Sequence, residues 1–152
     1  MNSHALIPLA ATLAYVPLAL VSLFHRPWRK QQGHFVLYLI PAILWSLSDF
    51  LLRSDLLHIN QSILVKVIIC MAFWMVIQFH YILGSYHGKY GKIPLAFLPL
   101  LALIVLAALD LVPRSIDIAD GRTAVDYGLL MPLIAVTVVL AIGRDFYLLV
   151  RK

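Results

Sequence analysis

Glutamate is absent from this chain; all seven acidic residues are aspartates. Paired carboxylates for acid–base work are correspondingly missing, and so are a glycine-rich phosphate loop, a nucleophile motif, an HExxH zinc motif and a histidine-rich iron box. Cysteine occurs once, at Cys70. That excludes an internal disulfide and any metal site built on a cysteine pair. Charge is scarce as well. Charged residues make up 12% of the 152 residues, against about 25% in a soluble domain. No basic run or basic helix marks a nucleic-acid surface, so the net charge of +5 has another origin. Basic residues collect in the cytoplasmic loops of membrane proteins.

What is present is apolar. The residues are 62% hydrophobic and the mean hydropathy is +0.93, which places the chain in the membrane class. Five runs are long enough for about 30 Å of hydrocarbon at roughly 17–25 residues each. They are approximately 6–24, 35–52, 63–86, 93–109 and 129–150. All five are expected to be helices, because an open sheet cannot satisfy its edges in lipid. The fold class predicted is an all-α membrane protein: a single domain, a five-transmembrane-helix bundle with a short extracytoplasmic β-hairpin. The fourth run holds Pro94 in its first turn and Pro99 at a position that kinks a helix. The opening "MNSHA" has no basic residue, unlike a signal peptide, so the first run is expected to stay as a helix.

Loop charges set the expected orientation. Three Lys/Arg follow the first run (Arg26, Arg29, Lys30), two follow the third (Lys89, Lys92) and three lie in the tail (Arg144, Arg151, Lys152). The other side has Arg53, Lys66, Arg114 and Arg122. Eight against four predicts that the N-terminus is outside and the C-terminus cytoplasmic. Trp28, Tyr90 and Tyr127 fall near the expected interfaces. The fourth loop, "SIDIADGRTAVDYG", then lies outside. Its Asp120-Gly121 suits a two-residue type I′ turn, and pairing outward from it sets Ile118 opposite Thr123 and Ile116 opposite Val125. Ile116, Ile118, Thr123, Val125 and Tyr127 share one face of this 115–127 hairpin, with Asp117, Arg122 and Asp126 on the other.

Polar residues inside the runs are the candidate site. Lys66, Cys70, Trp74, Gln78, Tyr81 and Ser85 step by three or four and fall within an arc of about 120° on the third helix. Such stripes face protein rather than lipid. Tyr38, Trp45 and Asp49 share a face of the second helix. Asp49 and Lys66 are expected at similar depth, where pairing would relieve two buried charges; a packing role for this pair competes with a polar ligand or ion site. Of the histidines, His25, His34, His80 and His87 lie near the cytoplasmic ends of the first three runs. His80, with His87 seven residues on, is the candidate axial ligand for a haem or chlorophyll, the alternative to solvated interfacial histidines. "NQS" at Asn60 fits a glycosylation sequon but lies close to the membrane.

The chain also resembles the histidine-kinase N-terminal seven-transmembrane sensor region. The first helix ends in the basic "HRPWRKQQG"; the second carries "LWSLSDFLLRSD"; the third, "FWMVIQFHYILGSY", leads into "HGKYGK"; and the outer loop has "IADGRTAVDYG". The likeness runs from about Tyr15 to Lys152. It departs in helix number, five expected here against seven, and in lacking a kinase or cyclase output domain. The resemblance implies a non-enzymatic input or scaffold module. Its expected partners are membrane lipid, other membrane subunits or a separate output protein. A cofactor-binding electron-transfer or pigment subunit and a small transporter are the alternatives.

Overall fold

The computed structural model describes residues 3–27, 29–54, 60–86, 93–113, 115–119 and 122–128, and positions 132, 135, 136, 138–140, 143 and 147. The order is α1 (Ser3–Phe24), α2 (Lys30–Ser54), α3 (Gln61–Tyr86), α4 (Ile93–Ala108), β1 (Ser115–Ala119) and β2 (Arg122–Asp126). Three of these helices are long and apolar enough to cross a membrane, over Ala5–Phe24, Gln31–Ser54 and Gln61–Ser85. The chain divides into two compact units, Met1–Ile93 and Pro94–Lys152.

In the first unit α2 packs along both α1 and α3, whereas α1 and α3 share no comparable contact among the described residues. The three helices therefore form a row with α2 in the middle. Each neighbouring pair is antiparallel. Gln32 meets Ser22 near the α1–α2 connection, and Ser46 meets Thr12 further along.

The face that α1 turns inward is small and weakly polar. Ala5, Pro8, Thr12, Tyr15, Ala19 and Ser22 recur at steps of three or four and are buried or half-buried, while Leu6, Ile7, Leu13, Val21 and Phe24 are exposed. Lipid tails are as apolar as leucine, so burying leucine gains little in a bilayer. Close backbone approach through small residues gains van der Waals contact instead. Ser46 of α2 is 0% exposed, and its hydroxyl lies 2.7 Å from that of Thr12. Thr12 also reaches the Pro8 carbonyl at 2.9 Å and Ser46 the Ile43 carbonyl at 3.3 Å, so either hydroxyl can donate in the bond between the helices. Val36, Leu39, Pro41, Ala42 and Ser48 are also buried on α2, and Leu37, Ile40, Leu44 and Leu47 form its bare stripe.

Local signals place the helix ends. Gln32 donates both amide hydrogens to carbonyls at the end of α1, those of Ser22 and His25, which satisfies acceptors that the helix leaves open. Asn60 caps α3: its side-chain oxygen accepts from the Ser62 N–H at 3.0 Å. The sequon asparagine is thus engaged as a cap.

In the second unit α4 ends in a Schellman motif. Leu111 N–H donates to the Leu106 carbonyl at 2.9 Å and Asp110 N–H to the Ala107 carbonyl at 3.3 Å, with Asp110 in the left-handed region at φ 58°. At 16 residues α4 spans about 24 Å, shorter than the run of 93–109 suggested for a full crossing. Strands β1 and β2 pair antiparallel, with Ile116 opposite Val125, Ile118 opposite Thr123 and Ala119 opposite Arg122. The connecting Asp120 and Gly121 lie outside the described residues. Asp126 accepts the Gly128 N–H at 3.0 Å and Gly128 has φ 67°, a turn glycine tolerates best. Most of the expected fifth helix, 129–150, also lies outside the description; its described positions from 132 to 147 are helical.

Candidate functional site

The polar stripe of α3 is assembled by helical spacing and covered mainly by α2. Cys70, Gln78, Tyr81 and Ser85 are buried, and Lys66 and Trp74 are half-buried. Ser85 is locally satisfied, donating to the Ile82 carbonyl at 2.7 Å. Tyr81 is held between two histidines. His34 of α2 stacks on its ring at 6.1 Å between centroids and 14° between planes, and His80 meets it edge-on at 5.8 Å and 63°. His34 has the same role on α2 that the stripe has on α3. The signal that identifies it is its position, one turn into α2 and opposite the last turns of an antiparallel α3.

Trp74 and Gln78 are the unusual members. The Trp74 indole Nε1 and the Gln78 Oε1 are both out of contact with solvent and both lack a hydrogen-bond partner. Gln78 is only 3% exposed. An unmet buried polar atom costs about 1–3 kcal/mol, and native structures hold few of them. One of these atoms is a donor and the other an acceptor, and they sit one helical turn apart on a single face.

Asp49 has a different partner from the one expected. Arg53, one turn along α2, donates from Nε to Asp49 Oδ1 at 2.9 Å. The i,i+4 spacing brings this guanidinium within reach without any cross-helix registration. Lys66 remains half-buried on α3. Tyr38 and Trp45, on the same face of α2 as Asp49, are half-buried too.

His80 is half-buried and its companion His87 lies outside the described residues. No group of three or more His, Cys, Asp or Glu able to hold a metal occurs among the described residues. Of the hairpin candidates, Val125 is half-buried, and Ile116 and Ile118 are placed by their strand pairing. Comparison with family models, with curated proteins and with solved structures gave no match.

Proposed function

We infer that this chain is a non-enzymatic, multi-pass module of a prokaryotic inner membrane. Its role is that of a sensor-like input domain or an accessory subunit of a larger membrane complex. The N-terminus and the β1–β2 hairpin face outward and the C-terminus is cytoplasmic, as the eight-to-four distribution of Lys and Arg favours. Segments 93–109 and 129–150 are the further two of its five membrane helices. The likeness to the seven-transmembrane sensor region of histidine kinases supports the same role.

The observation that carries this reading is the three-helix row. With α2 packed on both neighbours and α1 on α2 alone, large apolar side chains such as Leu13, Leu44 and Phe24 stay bare. Lipid covers such a surface, and so does a further membrane helix.

A photo-crosslinking residue at Leu13 or Leu44 of the full chain, activated in intact cells, tests it. A discrete protein adduct of constant mass is expected at one of the two positions. Lipid adducts alone at both would remove the subunit role.

A further inference from the structure

We propose that the α2–α3 interface holds a binding site for one hydroxyl group, built from the Trp74 indole N–H, the Gln78 side-chain oxygen and the backbone carbonyl of Leu37. The antiparallel pairing sets Leu37 and Gln78 level with each other, with Trp74 one helical turn further along α3. His34 of α2 stacks on Tyr81 of α3, which fixes the level of one helix against the other. Three residues further along α2 from that contact is Leu37, and three residues back along α3 is Gln78. Seven residues from it on each helix are Pro41 and Trp74.

The Leu37 side chain is on the bare stripe, but its carbonyl runs along the helix toward Pro41, which is fully buried. Pro41 lies inside α2 and has no N–H, so it cannot give that carbonyl its usual helical bond. In lipid a carbonyl freed in this way is met by a neighbouring side chain or an ordered water. On α3, level with Leu37 and one turn beyond it, are a buried acceptor and a buried donor that are themselves unmet. The set is therefore one donor and two acceptors.

An O–H group matches that set. Its oxygen accepts from Trp74, and its proton goes to Gln78; a water has a second proton for Leu37. A carboxylate would meet Gln78 oxygen with oxygen, and an ammonium has nothing to accept from the indole. The group is therefore neutral. Both α3 atoms are closed to solvent, so admission requires α2 and α3 to part. The missing bond at Pro41 is where α2 bends most readily. This site stands on the α2–α3 geometry and is independent of whether the chain is an input module or a subunit.

Indole-¹⁵N NMR of the full chain in lipid nanodiscs tests it, with the Trp74 signal assigned from Trp74→Phe. The hydroxyl has two sources, water and an organic molecule, and two probes separate them. A cross-peak from the Trp74 N–H to bound water identifies water. A saturable downfield shift with phenol, absent with toluene, identifies an organic hydroxyl. Either result supports the site. Neither a water cross-peak nor a phenol-specific shift would overturn it.

Gln78→Leu is expected to abolish whichever signal is seen. Pro41→Ala, which returns an N–H to Leu37, should shorten water residence by up to about tenfold, the worth of one hydrogen bond, and leave phenol binding unchanged, because the single phenol proton goes to Gln78. The Pro41 variant keeps the test decisive if the Gln78 variant does not fold. An unchanged Trp74 signal in folded Gln78→Leu, or unchanged water residence or weakened phenol binding in Pro41→Ala, would overturn the site.

Discussion

Ser46 is fully buried where α2 meets Thr12 of α1, and two different forces act there. One is the hydroxyl bond to Thr12 at 2.7 Å; the other is the fit of small side chains against a fully buried serine. Interhelical hydrogen bonds in membrane proteins average about 0.6 kcal/mol. Overpacking a tight contact costs about 1–3 kcal/mol. Ser46→Leu is therefore expected to destabilise the full chain by more than Thr12→Val, which keeps the shape and removes only the bond. Unfolding in mixed lipid–detergent micelles measures both, and a larger loss for Thr12→Val would mean that the hydrogen bond outweighs the close fit. Residues with a clear period are legible in the sequence: the α3 stripe steps regularly, and Gln78 and Tyr81 are buried where that spacing points. The Thr12–Ser46 bond is not legible, because small residues carry no hydropathy signal. The partner of Asp49 is missed for a related reason. Depth matching favours the cross-helix lysine and passes over Arg53, the nearer cation on the same helix.

Helix ends depend on caps rather than on hydropathy. Hydropathy begins the second helix at Phe35, yet α2 starts at Lys30. The polar "QQG" belongs to its first turn, where Gln32 and Gly33 donate to the Arg29 carbonyl at 3.0 and 3.3 Å. The end of α4 has the opposite character, because a single residue in a rare backbone region stops it. Asp110 at φ 58° adopts a conformation that costs an ordinary L-residue about 1–2 kcal/mol and that Asn and Asp tolerate better. Asp110→Asn should leave the end of α4 intact. Asp110→Val, branched at Cβ, should lower stability by about 1–2 kcal/mol and fray the last turn. Amide exchange at position 110 and at Leu111 reads this directly. Equal protection in the Val variant would mean that the 3.3 and 2.9 Å bonds do not depend on that backbone geometry.

For the whole molecule the central expectation is orientation. Single cysteines at Ser3, Ser115 and Lys152, in a Cys70→Ser background, are expected to divide in intact cells. A membrane-impermeant thiol reagent should label the first two and spare the third. Labelling of Lys152 from outside would reverse the proposed topology, and with it the outward hairpin. Hydropathy makes α1, α2 and α3 legible as spanning helices, because length and apolarity are properties of each segment by itself. It carries no information on which helices touch. The row with α2 at its centre follows from the small-residue face of α1 and from the ring contact between His34 and Tyr81.

A row is also an order of events. During synthesis α1 leaves the ribosome before α2. When α2 follows, the small-residue seam and the Thr12–Ser46 bond close with every participant already present. Addition of α3 then requires none of those contacts to reopen, since it docks on the other side of α2. Each step joins a helix to its immediate predecessor, which keeps loop closures short and contacts local. A chain arranged in this way can build its first unit one helix at a time, and no stage has to wait for a segment that has not yet been made.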